Sequence, residues 1–324
     1  TQVLGLMVGG ESAALGYQIG MAPDAQWIAA KIFDNANNAT YAGIHQSFQW
    51  MLNPDNDPVT DDAPDVVNNS WVLDGTQDLC LPEFSDDVAL LQEAEIAVIF
   101  SAGNYGPNSN TSMTPANDPS VLAVGSVDQV QNVASHSSRG PGACDGGVYP
   151  HVMAPGVGVL TTSLAQGYAL ASGTSFAAPH VAGAIALLRS AFPDATVADF
   201  EASLLATAVD LGDAGADNDY GHGLLNAVAA HDWLDTHLGA TQLTVSVDGV
   251  PESHDVLTWA GSQDQVSTTE VLEGGDTLSI VGNGFKQVQL NAPYEVTAGT
   301  VLNFDFYSGA RGEIHAIGLA SSDA

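Results

Sequence analysis

Positive charge is scarce in this chain: five Lys and Arg stand against 38 Asp and Glu, a formal charge of −33 at pH 7. A polymer this acidic repels phosphate backbones and anionic lipid, which excludes nucleic acid and membrane surfaces as natural partners. The acidic residues are spread along the chain and form no tail, a distribution that suits solubility in salty surroundings. Cysteine is almost absent. Cys80 and Cys144 are too few for a disulfide scaffold or a zinc site, and form either one bridge or two buried thiols. A bridge closing so long a loop would contribute about 4 kcal/mol by chain entropy. No apolar run reaches the ~18–20 residues that a membrane span requires. No signal peptide is visible, and an amino end at Thr1 points to processing or trimming. Against these absences, 45% of the 324 residues are hydrophobic, enough for a sizeable core and too many for a disordered chain.

The first two thirds alternate strand and helix. Trp27–Phe33 is short and apolar almost throughout, which predicts a buried strand. Tyr41 to Leu52 has helical period, with Ile44, Phe48 and Met51 on one face. A polar loop from Asn53 to Pro64 leads to a predicted strand over Val66–Trp71. Ser85 is placed to cap a helix that opens with Asp86 and Asp87, where negative charge suits the helix dipole. Strands are also predicted at Ala97–Phe100 and Val121–Gly125. Strands separated by helices of this length predict βαβ units and a mostly parallel sheet.

Beyond residue 238 the texture changes to short alternating runs, with Leu243, Val245 and Val247, then Leu278 and Ile280, Val288 and Leu290, and finally Val301, Phe304 and Phe306. Asp248-Gly249, Gly274-Gly275-Asp276 and Gly282-Asn283-Gly284 punctuate them. This predicts an all-β module over 239–324, with a last strand that ends at Leu319 and leaves the sheet incomplete.

The densest signal is Gly173-Thr174-Ser175-Phe176-Ala177-Ala178-Pro179-His180-Val181-Ala182-Gly183. Ser175 sits where a glycine turn meets a helix that is apolar on every side from Val181 to Leu188 and is therefore buried. Pro179 is read within the first turn, where a missing N–H is tolerated. A serine at such a helix mouth has free backbone N–H groups and a positive dipole end beside it, which would stabilise an oxyanion. An isolated serine there would be an ordinary N-cap. The whole run, however, resembles the nucleophile motif of the subtilisin-like serine proteases, the subtilases. Ser101-Ala102-Gly103-Asn104 resembles the family's element that supplies the oxyanion-hole amide, so the resemblance assigns that role to Asn104. Asn69-Ser70-Trp71 is similar to the strand lining the substrate groove, Met153–Gly156 to the Ala-Pro-Gly turn, and Tyr220–Gly223 to the closing Tyr-Gly-x-Gly. By the same resemblance, peptide substrate lies against Ser70, Trp71 and Val72 and against Ser101, Ala102 and Gly103. Val72 stands where the family often has Gly, which implies a narrower groove.

Nucleophilic serine chemistry also needs a general base and a group to orient it. His180 does not serve: five residues along a helix is roughly 500°, so it points about 140° away from Ser175. His136, His151, His222 and His315 lack the family's surroundings for the base, and no aspartate stands in an Asp-Ser/Thr-Gly context. Thr1–Gly10 resembles the segment just after the catalytic His in subtilases, which implies that the His lies two residues before Thr1 and the Asp further upstream. This chain alone is then expected to be inactive.

The resemblance implies an α/β chain with a subtilisin-like three-layer fold and a mostly parallel sheet over 1–238. The tail, from Gly274-Gly275-Asp276-Thr277-Leu278 through Gly312–Gly318, resembles the β-sandwich modules appended to secreted polysaccharide-degrading enzymes and proteases, which implies a smaller all-β sandwich module at the C-terminus over 239–324. The function implied is a secreted serine endopeptidase acting on protein or peptide substrates, expected to be monomeric and to need no cofactor for its chemistry. Structural calcium is compatible with the carboxylate-dense loop Asn53–Asp62, which otherwise reads as a solvated loop; no metal site is assigned. Asp210, Asp213, Asp217 and Asp219 read as a structural turn. Trp259, Tyr294, Phe304 and Tyr307 in the tail are either sandwich core or a stacking surface for polysaccharide. The alternative is a non-catalytic protein- or polysaccharide-binding protein on a subtilase scaffold.

Overall fold

A computed structural model of the chain describes residues 1–12, 16–57, 59–60, 62–164 and 167–238, and the strands that lie between 242 and 288. The chain divides into two compact units, Thr1–Gly239 and Ala240–Ala324.

The first unit opens with helix α1 (Gln2–Val8) and the antiparallel pair β1 (Glu11–Ser12) and β2 (Tyr17–Gln18). Helix α2 (Tyr41–Leu52) has the predicted bounds; its N-cap Thr40 accepts the Gly43 N–H, and Ile44 and Phe48 are its buried face. Between them, Trp27–Phe33 is not a strand. It makes no ladder, and Trp27 is 58% exposed. Hydrophobicity alone cannot make a strand without a neighbour to take its backbone groups, and among the described residues β3 (Val66–Asn69) pairs on one side only, with β4.

Strand β3 is two residues shorter than its apolar run predicted. Helix α3 (Ser85–Glu93) begins one residue earlier than expected: Phe84 is the N-cap and Ser85 the first helical residue, its hydroxyl bonded to the Asp118 carboxylate and not to the helix end. The strands β4 (Ala97–Ser101), β5 (Leu122–Val127) and β6 (Val152–Pro155) complete a four-stranded parallel sheet in the order β3-β4-β5-β6. Strands β4 and β5 are buried at every position, as interior parallel strands with both faces covered must be, whereas β3 alternates. The antiparallel pair β7 (Val159–Ser163) and β8 (Gly167–Ala171) leads to helix α4 (Thr174–Ala191), then α5 (Val197–Ala206) and α6 (Ala227–His237).

Alternate strand residues point to opposite faces, so the sheet carries two cores. Ala97, Ile99, Leu122, Val124, Val152 and Ala154 meet Ala178, Val181, Ala182 and Ile185 of α4, with Phe200 and Leu204 of α5 behind. Val98, Phe100 and Ala123 meet Phe48, Phe84, Val88, Leu91 and Tyr149. α4 lies tight against α1 and the segment after β2: a Cβ at Gly183 would come within 2.5 Å of Met21 Cβ, so only glycine allows the approach. Contrary to the sequence reading, α4 is not buried all round, since Leu187 is 43% exposed.

In the second unit β9 (Gln242–Val247) pairs antiparallel with β10 (Val250–Thr258), which pairs with β13 (Lys286–Val288); β11 (Ser267–Leu272) pairs with β12 (Thr277–Gly282). These strands contain the predicted alternating positions Leu243, Val245, Val247, Leu278, Ile280 and Val288. Trp259, Leu290, Tyr294, Val301, Phe304, Phe306, Tyr307 and His315 lie outside the described residues.

Candidate active site

Ser175 is the second residue of α4, and the turn before it explains its presentation. Gly173, the N-cap, has φ +146°, a conformation open to glycine and strained for other residues. Its N–H donates to Gly156 O at 2.8 Å. Of the Ala-Pro-Gly motif read as a turn, Ala154 and Pro155 end β6 and only Gly156 follows it; a Cβ at Gly156 would strike Ser126 Oγ at 2.3 Å and Gly173 O at 2.9 Å. The close crossing of the two turns therefore depends on glycine. It sets the helix mouth at the carboxyl ends of the parallel strands, where open α/β sheets carry their sites.

Asn104 follows β4 at that same edge. Its Oδ1 accepts from the Thr174 N–H at 2.9 Å and from the Thr174 hydroxyl at 3.1 Å. One of the helix's orphan N–H groups is thereby satisfied, and the side chain is held with Oδ1 toward the helix, which leaves its Nδ2 without a partner among the described residues. Thr174 Oγ1 in turn accepts from Gly103 N at 3.2 Å. Thr174 was missed in the sequence; counting unsatisfied donors at a helix start would have singled it out.

The residues assigned to substrate contact divide. Ser101 and Ala102 are buried, and Gly103 has both backbone groups in use: its N–H on Thr174 and its C=O on the Ser138 N–H at 3.0 Å. Ala102 C=O accepts the hydroxyl of Tyr149, a fully buried residue whose phenol is pushed up by that burial. These bonds hold the segment that carries Asn104 in place. Ser70 and Val72 are half-buried, and Ser70 meets Ser175 directly. The Trp71 indole turns into the aromatic core, 5.3 Å from the Phe100 ring and 5.8 Å from Phe84, with Nε1 donating to Asn69 Oδ1. Only the Trp71 backbone is left for a groove. Further along, the Tyr105 hydroxyl donates to Asp74 at 2.9 Å, which links the segments after β3 and β4 and raises the Tyr105 pKa.

No imidazole is hydrogen-bonded to Ser175 among the described residues. His180 Nδ1–H donates to Phe176 O, 2.9 Å away within its own helix, and burial lowers its pKa. His151 Nδ1 accepts the Ala123 N–H and is likewise lowered by burial, as is His136. His45, on α2, lies between two carboxylates: Nδ1 is 2.5 Å from Asp87 and Nε2 3.3 Å from Glu83. The bond to Asp87, then that to Glu83, raises its pKa.

Cys80 and Cys144, 64 residues apart, are joined in a disulfide with Cα atoms 4.8 Å apart. In the Asn53–Asp62 loop the carboxylates face their own backbone: Asp55 Oδ1 accepts from Asp57 N and from the Thr60 hydroxyl, and Asp62 accepts from Asp55 N. Asp217 likewise accepts from Asp219 N and Tyr220 N. No group of three or more metal-ligating side chains occurs among the described residues.

A serine at the half-buried mouth of α4 and an oriented amide after β4 thus stand together at one edge of the sheet. The chain belongs to the subtilase family, peptidase S8, whose pattern it matches over residues 1–223. It is 36% identical to Bacillopeptidase F of Bacillus subtilis over 289 residues, 85% of this chain but 19% of that protein. The match exceeds the length of the first unit, so it continues into the second. It is also 36% identical to Subtilisin DY of Bacillus licheniformis over 220 residues, 65% of this chain and 70% of that one. Among solved structures the prenylagaramide maturation protease PagA superposes with a TM-score of 0.58 at 23% identity, covering 72% of this chain and 81% of that chain, which bears on the fold alone.

Proposed function

We propose that the chain is part of a secreted serine endopeptidase in which Ser175 is the nucleophile and Asn104 the side-chain donor of the oxyanion hole. Ser175 Oγ attacks the carbonyl carbon of a peptide bond and gives its proton to a base. The carbonyl π-pair moves onto oxygen, where Asn104 Nδ2 and the Ser175 N–H hold it. Collapse expels the amine, which takes the proton from the base, and water then releases the acyl group. The observation that carries this reading is the pair of bonds from Thr174 to Asn104 Oδ1, because they turn the amide's donor end outward at the helix mouth. No described histidine is hydrogen-bonded to Ser175, and the proposed base is the histidine that the resemblance of Thr1–Gly10 implies.

Secretion is supported by the Cys80–Cys144 disulfide, which persists in oxidising compartments. No described helix is long and apolar enough to cross a membrane. The second unit is proposed as a β-sandwich module and, on its tail aromatics, as a secondary site for polysaccharide. Monomeric state and structural calcium are kept as parts of the same reading. A non-catalytic binding role is disfavoured by the retention of both Ser175 and an oriented Asn104.

The test is labelling of the intact protein, with the residues that precede Thr1, by a fluorophosphonate, followed by mass mapping. An adduct on Ser175 that is lost in S175A is expected. Folded intact protein that takes no adduct would overturn the peptidase reading in favour of the binding protein.

A further inference from the structure

The position of Pro179 in α4 differs from the sequence reading and creates a problem at the nucleophile. The helix begins at Thr174, so Pro179 is its sixth residue and lies beyond the first turn. In an α-helix the N–H of residue i+4 bonds the C=O of residue i. For the carbonyl of Ser175 that donor would be residue 179, and proline has none. A carbonyl orphaned at the mouth of a half-buried site is costly unless something replaces the donor.

The replacement comes from the end of β3. Ser70 Oγ donates to Ser175 O at 2.9 Å, across 105 residues of sequence. Asn68 Nδ2 donates to Ser70 Oγ at 3.0 Å, which occupies a lone pair of that oxygen and aims its proton at Ser175. In return Ser175 Oγ donates to Ser70 O at 3.3 Å. The two serines thus exchange a pair of bonds between a strand end and a helix start.

We infer that Ser70 is a positioning residue for the nucleophile: its hydroxyl supplies the hydrogen bond that Pro179 removes from Ser175, with Asn68 orienting it. The inference rests on reading Ser175 as the nucleophile. Ser70 acts on the backbone that carries both Oγ and the oxyanion-facing N–H, so its loss moves the reacting geometry without changing substrate affinity.

The decisive experiment uses the intact protein and five forms: wild type, S70A, S70T, P179A and S70A/P179A. Labelling at Ser175 by fluorophosphonate is expected to slow about tenfold in S70A, the effect of one buried carbonyl left unpaired. On a peptide substrate kcat falls and KM stays. S70T keeps the hydroxyl and the rate, and P179A stays within about twofold. S70A/P179A regains most of the lost rate, because replacing the proline brings back the backbone N–H. A role of Ser70 in lining the groove would give no such recovery. Wild-type rates in S70A, or a double variant as slow as S70A, would overturn the inference. If wild type takes no label, the nucleophile reading has failed, and thermal melting decides the inference separately. Recovery of the S70A melting loss in the double variant sustains it, and additive losses end it. Should S70A not fold alone, folding of the double variant carries the same information.

Discussion

On one face of the β3–β6 sheet the packing is thin and aliphatic; on the other it is thick and aromatic. Ala177, Ala178, Ala182 and Gly183 bring α4 close to the strands, and Phe200 is the one large ring among that cluster's buried residues. Opposite, Phe48, Phe84, Phe100 and Tyr149 pack with Trp71, whose ring contacts are edge-on or tilted. The difference reflects the part that each face must position. Small residues let the nucleophile's helix settle with its mouth at the strand ends. Large rings brace the segments after β3 and β4 that meet it there. Polar ties differ in the same way. The aromatic side has the Cys80–Cys144 disulfide and the His45–Asp87–Glu83 clasp, whereas the aliphatic side has Arg189, which donates to Ala195 O and Glu95 O, and Glu201, whose Oε1 is buried with no partner among the described residues.

The largest test of this contrast is removal of the disulfide. Replacing Cys80 and Cys144 by Ala is expected to cost about 4 kcal/mol, read from denaturant midpoints, by restoring freedom to a long loop of the unfolded chain. A loss well under that would mean the aromatic face holds itself together. On the aliphatic side, A182L forces a larger side chain into the thin layer and should cost ~1–3 kcal/mol. It should also slow labelling at Ser175, because α4 has nowhere to move but away from the sheet. Unchanged labelling would show that the helix mouth is held by its own bonds, independent of the layer beneath.

The next two predictions concern pH and separate the faces by cause. Glu201 is raised from 4.5 to about 7 by burial. The folded state therefore holds its proton longer than the unfolded state does. The corresponding stability is fully present below about pH 4.5 and is lost as pH rises through about 7, on the order of 3 kcal/mol in all. E201Q should flatten melting temperature over that window; a wild-type curve that is already flat would mean the carboxyl finds a partner. His45 is raised by attraction and not by burial, through its bonds to Asp87 and then Glu83. Its contribution is full below the unfolded value of 6.5 and disappears as pH climbs through the raised folded value. The effect is the smallest of the four, since the imidazole is partly exposed and screened. H45Q should remove the upper portion of the decline and leave the Glu201 portion intact. Both faces thus lose stability as pH rises, one by charging a buried acid and the other by discharging a paired base.

Periodicity was legible in the sequence wherever burial has a period. The helix Tyr41–Leu52 and the strand at Ala97–Phe100 follow from their patterns alone, and Asn104 and Ser175 stand in motifs long enough to read. The failures share a different cause. Trp27–Phe33 is as apolar as a strand but has no partner to make it one. Ser85 is a fit cap residue, yet the chain enters the helix one residue earlier, with Phe84 at the cap and the Ser85 hydroxyl donated to Asp118. Each error assigns to a residue's own segment a bond or a place that a distant segment decides.

By itself the sequence determined the parallel α/β architecture of the first unit, the family, and the two residues on which the proposed chemistry centres, because these rest on local pattern and on composition. Only the tertiary structure decided that Thr174 orients Asn104, that Trp71 turns inward, and that Ser70 answers the gap left by Pro179. A missing backbone donor is visible in any sequence that contains proline. Which hydroxyl fills it depends on where folding brings a strand that lies 105 residues away.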